Sequence, residues 1–210
     1  MSVIHKIAYH QNRRDEVPNQ ELAKELAESE NTVGLQEMVD HLYDKNKSIS
    51  SDCLKVIYET GYIRPDLIAP FVPEFMKLLE SKINRMVWGS MIALANTAPL
   101  NPKPVLKEIE KVISTFQKGT LITQVWGLNT IANAIATDPT YNKKYIGVLF
   151  DHIEKCNPRE LPRHTQDILA AINDSNREAL EAIIMARIDE LNKSQYTKLK
   201  RILKKVEITI

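Results

Sequence analysis

His152 and Cys156 stand four residues apart, a spacing that puts an imidazole and a thiol on one helix face, and His164 or Asp151 can join them across the following turn. Nitrogen and sulfur donors of this kind suit zinc, which takes four ligands in a tetrahedron. The chain offers neither a CxxC pair nor a closed set of four, so the expectation is that no metal is held. His152 then reads as a half-exposed histidine and Cys156 as a packed thiol. Asp40, His41 and Asp44 form a similar group, read as a solvated helix face. No phosphate-cradling glycine loop, HExxH helix, EF-hand loop or GxSxG elbow occurs. No catalytic residue is therefore assigned, no cofactor is expected, and the chain reads as a binding protein rather than an enzyme.

The two tryptophans carry a different chemistry. Val87-Trp88-Gly89 returns as Val125-Trp126-Gly127 at an offset of 38 residues, each followed by an alanine-rich apolar run. On an inner wall, Trp88 and Trp126 would form successive rungs with Arg85, Gln124 and Asn129 beside them, a surface suited to a peptide or a stacked base. The opposing reading packs each indole between repeats, with the adjacent glycine giving it room. Exposure of the two indoles separates the readings. A third group is basic: Lys198, Lys200, Arg201, Lys204 and Lys205 face away from Tyr196, Leu199, Ile202, Leu203 and Val206. This amphipathic segment reads as a solubilising cap whose cations complement a helix C-terminus, with phosphates or an acidic partner as the alternative.

The elements that position these residues repeat as well. Pro70 to Leu79 echoes Pro104 to Ile113 at an offset of 34, lysine over lysine and apolar over apolar. Periods in this range belong to paired antiparallel helices that bury their apolar faces only by stacking on neighbours. Helices are expected over Thr32 to Tyr43, closed by Asn46, then from the polar run Ser48 to Ser51 until Gly61 ends the helix. They continue over Asn84 to Thr97, Pro104 to Phe116, Thr120 to Ala136, Asn142 to Lys155, Thr165 to Asn173, Asn176 to Asn192 and Gln195 to Val206. Inner helices hold small residues (Ala93, Ala95, Ala132, Ala134, Ala136, Ala170, Ala171), whereas outer ones hold bulky ones. The fold class is all-α: one domain over 1–210, with an N-terminal cap over 1–31, repeats over 32–192 and a basic capping helix over 193–210.

Over residues 32–192 this pattern resembles the HEAT/armadillo-like repeat superfamily. The resemblance implies a superhelical solenoid with a concave inner wall. The Asp-plus-basic pair of such inner helices is met by Asp52 with Lys55, in part by Asn84-Arg85, and not at Thr123-Gln124. It also invites comparison with the HEAT-like DNA alkylation-repair glycosylases, but neither Trp88 nor Trp126 has an acid within the following turn to carry that chemistry.

A formal net charge of +1 gives no global field toward nucleic acid or an anionic membrane. Cys53 and Cys156 have no framework spacing and read as reduced thiols of a cytoplasmic protein. No apolar run reaches membrane-spanning length, and residues 1–11 do not read as a signal peptide. The expectation is a non-enzymatic scaffold that binds a protein partner along a concave wall. The alternative is a nucleic-acid-binding or DNA alkylation-repair-like module. A continuous positive wall would favour nucleic acid, and a mixed or acidic wall with an apolar strip would favour protein.

Overall fold

The computed structural model describes residues 2–209, so the two terminal positions of the expected domain lie outside it. Among the described residues the regular structure is helical: α1 Val17–Glu28, α2 Thr32–Asp40, α3 Lys47–Ile63, α4 Pro65–Ile68, α5 Val72–Leu78, α6 Asn84–Thr97, α7 Pro102–Lys107, α8 Ile109–Lys118, α9 Leu121–Ile135, α10 Pro139–Lys155, α11 Leu161–Ile168, α12 Arg177–Ala186 and α13 Lys193–Leu203. Pro18, Pro65, Pro73, Pro102, Pro139 and Pro162 each sit in a first helical turn, where a missing N–H costs nothing. Asn31, Asp138 and Asn192 cap α2, α10 and α13 by accepting from backbone amides, the last in a reciprocal box with Gln195. No helix among the described residues is long and apolar enough to cross a membrane.

The helices form two layers. In the inner one, α1, α3, α6, α9, α11 and α13 pack each on the next; α2, α5, α7, α8 and α10 back them, and α12 packs on α10. Small buried residues on the inner faces (Ala93, Ala95, Ala132, Ala134, Ala171) permit this close succession, although Ala136 and Ala170, at helix ends, are exposed. Side-chain-to-backbone bonds stitch neighbouring inner helices, α9 to α6: Thr130 Oγ1 donates to Met91 O at 3.1 Å and Asn133 Nδ2 to Ala95 O at 3.0 Å. Outer helices turn bulky residues inward, as α8 does with Ile109, Val112, Ile113 and Phe116.

Several local expectations fail for identifiable reasons. Gly61 lies inside α3, where a Cβ would meet Ile68 Cδ1 at 2.5 Å, so this glycine serves a close approach. The helix stops instead at Arg64, which the following Pro65 drives out of helical backbone. Asn46 opens α3 by capping it, accepting from Ser48 N at 3.0 Å, in place of the serines. The outer helix expected from Pro104 breaks at Glu108 into α7 and α8, with apolar residues buried on both sides of the break. The helix expected from Thr165 starts earlier, at Leu161, with Pro162 in its first turn.

The glycines beside the tryptophans do not make room for the indoles. A Cβ on Gly89 would meet Leu54 Cδ2 at 2.6 Å, and one on Gly127 would meet Phe116 Cβ at 2.8 Å. Each admits a side chain of the neighbouring helix. Because Phe116 Cβ is tied to its backbone and cannot swing aside, Gly127→Ala is expected to cost about 1–3 kcal/mol despite alanine's better helix propensity. Gly147, on the exposed face of α10, has nothing within 4 Å of the place a Cβ would take. There the same change is expected to stabilise by about 0.5–1 kcal/mol. Urea unfolding of the two variants should therefore move the midpoint in opposite directions.

Candidate functional site

The inner layer bends toward one side, as the rings on it show. Tyr62 of α3 stands 5.9 Å, centroid to centroid, from Trp126 of α9, with α6 lying between their helices. Helices two apart in a flat layer are roughly 16–20 Å distant at 8–10 Å per step, too far for rings that rise over the middle helix to meet. The layer therefore curves toward this face. Tyr58 pairs likewise with Trp88 at 6.0 Å. Trp88 and Trp126 are both half-buried, each seated on the core with part of the indole in solvent. Tyr62 remains 47% exposed, and Ile122, one turn before Trp126 on the same face of α9, is 39% exposed, so an apolar strip lies open on the concave wall.

Charged and amide groups flank that strip. Glu16 accepts from Arg85 and pairs with Lys55 at 2.9 Å, and Lys55 pairs with Glu59 at 2.6 Å. Burial works against the charge of Lys55 but is outweighed by its two carboxylates, which raise its pKa. Arg85 also lies over the Trp88 ring at 5.6 Å. Farther along, Asn133 Nδ2 donates to Asn129 Oδ1 at 2.8 Å, and α11 brings Asp167 up beside them. Asp167 is buried, which pushes its carboxyl up, and the Arg163 guanidinium opposes this by holding both oxygens at 3.0 and 3.1 Å. Burial, with the charge of Glu59 next, pushes the Tyr62 phenol up to about 12, so it stays a neutral donor.

Of the residues singled out from sequence, Arg85, Trp88, Trp126 and Asn129 share this wall. Gln124 does not, because two positions of an α-helix are about 200° apart and it turns away from Trp126. Tyr58, Tyr62, Asn133, Arg163 and Asp167 complete the wall without having been singled out. The Tyr58/Tyr62 pair at helical spacing was the available signal. Asp167 brings an acid to the wall from the next helix, but Arg163 occupies it. The basic group sits on α13 and the turn after it: Lys198, Arg201, Lys204 and Lys205 are exposed, and Lys200 lies over the Tyr196 ring at 5.7 Å.

A second cluster lies away from the wall. His152 Nε2 and His164 Nδ1 are 2.9 Å apart, and Cys156, the C-cap of α10, is buried beside them. Asp151 is exposed and takes no part. Burial, with the neighbouring His164 second, holds the His152 imidazole down at about 4. Arg187 packs on the far side, with Nη1 3.5 Å from the Cys156 sulfur. The other acidic group, by contrast, shows only a His41–Asp44 contact at 3.2 Å.

No family model matches the chain. An uncharacterized protein of Methanocaldococcus jannaschii is 33% identical over 75 residues, 34% of this chain and 36% of the relative, so the match spans about a third of that protein. Among solved structures, a designed armadillo repeat protein superposes with a TM-score of 0.65 at 16% identity, covering 96% of this chain and 99% of its own. A second designed armadillo repeat protein, in complex with the peptide (KR)4, gives 0.63 at 18% identity over 87% and 84% of the two chains. An engineered protein gives 0.65 at 16% identity over 99% of each. These likenesses establish the fold: an all-α, armadillo-like repeat superhelix.

Proposed function

We propose that the chain is a non-enzymatic interaction scaffold that takes an extended segment of a partner protein along its concave wall. The carrying observation is that the wall's charges answer one another while its aromatic strip stays open. Lys55, Arg85 and Arg163 are matched by Glu16, Glu59 and Asp167, all in ion pairs on the wall itself. Binding to nucleic acid draws on cations free to displace counterions from phosphates, and these cations are already engaged. The strip of Tyr62, Trp126 and Ile122 instead suits apolar side chains, and the Asn133–Asn129 amides beside it suit the backbone of an extended peptide. The designed neighbour holds a peptide of alternating lysine and arginine. This wall, without net negative charge, fits an uncharged segment with aromatic or aliphatic anchors.

Selection from a displayed library of random peptides tests the reading. Recovered peptides are expected to be rich in apolar residues, to shift Trp126 fluorescence, and to bind with little dependence on salt. Trp126→Ala is expected to weaken them about 10- to 100-fold, in the range of a central aromatic anchor. Peptides that bind Trp126→Ala as well as the unaltered chain would refute the wall as the site. Tight, steeply salt-dependent binding of an oligonucleotide, or base release from alkylated duplex DNA, would replace this reading with the nucleic-acid one.

A further inference from the structure

The His–Cys cluster is half visible in the sequence, and the fold closes it. His152 stands one turn before the end of α10, Cys156 caps that helix, and His164 returns from the first half of α11 after a loop over 157–160. One donor atom from each lies within 4.8 Å of the other two. Two nitrogens held by one tetrahedral zinc at about 2.0–2.1 Å are roughly 3.3 Å apart, and zinc–sulfur bonds are about 2.3 Å. The rings, 2.9 Å apart at Nε2 and Nδ1, would open by a few tenths of an ångström and the sulfur would draw in.

Two further observations favour a ligand set over mere packing. The edge of Phe116 meets the His152 ring at 5.3 Å and holds its orientation. Arg187 stands where an outer-shell donor to a metal-bound thiolate would, and its own charge is answered by Glu190 at 2.6 Å, so a dication would not face a bare guanidinium.

We propose that His152, Cys156 and His164 form a zinc site with two nitrogens and one sulfur, the fourth position left to water. The site lies apart from the concave wall and stands or falls independently of the peptide reading.

Cobalt titration of the full chain, first dialysed against a chelator, tests the proposal directly. The expected result is tetrahedral d–d absorption with a thiolate-to-cobalt charge-transfer band, saturating at one equivalent and erased by one equivalent of zinc. Cys156→Ser is expected to lose the charge-transfer band, whereas Cys53→Ala keeps it. His152→Ala, at a partly exposed position, is expected to weaken cobalt by roughly 100-fold, at the upper end of what loss of a mere outer-shell partner does. Absence of tetrahedral absorption from the unaltered chain at millimolar cobalt overturns the site. So does a spectrum that Cys156→Ser leaves unchanged. The unaltered chain alone decides if a variant fails to fold.

Discussion

Arg187→Met is expected to destabilise the chain by about 3–5 kcal/mol, the cost of breaking one side of a buried charged arrangement. The residue is only 8% exposed, although it belongs to the turn after α12. Its Nη1 donates to Ile153 O at 2.6 Å and its Nη2 to Cys156 O at 2.8 Å. Those carbonyls belong to the last turn of α10, where the helix itself supplies no partners. The guanidinium thus caps one outer helix from the next one, 31 to 34 residues on, and Glu190 holds it in place at 2.6 and 3.2 Å. Methionine fills much of the volume but leaves Cys156 O without its donor and Ile153 O with only the weak Cys156 thiol at 3.6 Å. Lysine keeps the charge without the fork, reaches one carbonyl at a time and is expected to recover less than half of the loss. Glu190→Gln, at an exposed partner, is expected to cost no more than about 1 kcal/mol. With a urea slope of about 1–3 kcal/mol/M, the methionine variant should lower the unfolding midpoint by about 1 M or more, and an unmoved midpoint would contradict the capping role.

That such a residue escapes sequence reading has a physical reason. Arg187 follows an amphipathic stretch in which charged positions are ordinarily solvated, and nothing local reveals carbonyls brought to it from another repeat. Features set by neighbours in the chain are legible. Asn84–Thr97 can be read with its observed ends because its apolar period and the prolines after it are local. The 38-residue echo marks Trp88 and Trp126 as equivalent positions of successive repeats for the same reason, but whether the indoles face the wall or the core is not legible from it. Features set by packing are not legible. Gly61 carries a helix-ending residue type, but Ile68 presses on it from the next element. Tyr62 becomes part of the site only because curvature carries it to Trp126, and curvature is a property of the stack. The third donor of the His–Cys cluster likewise depends on how α11 returns against α10.

The strongest test of how the last repeats are joined is Asn142, 4% exposed in the first turn of α10. Its Nδ2 donates to Ala171 O at 2.8 Å, and its Oδ1 accepts from Asn173 Nδ2 and Asn176 Nδ2, both at 3.1 Å. One amide therefore ties the outer helix to the turn that ends the next inner one. Asn142→Leu keeps the size, removes all three bonds and is expected to cost about 2–3 kcal/mol, since Asn176 still reaches Ala171 O and Asn173 can turn to water. Asn142→Asp retains the acceptor but sets a buried carboxylate against the Ala171 carbonyl, and at pH 7 it is expected to cost about 3–5 kcal/mol. Burial and that carbonyl raise the folded-state pKa of the new acid above its unfolded value near 3.9. A raised carboxyl is penalised above its folded pKa and relieved as pH falls through it, because the protonated acid again donates to Ala171 O. The difference in unfolding free energy between Asn142→Asp and the unaltered chain should therefore shrink from pH 7 to pH 4.5, while that of Asn142→Leu stays constant. Parallel pH dependence of the two variants would mean that Asn142 fills space rather than carrying the joint.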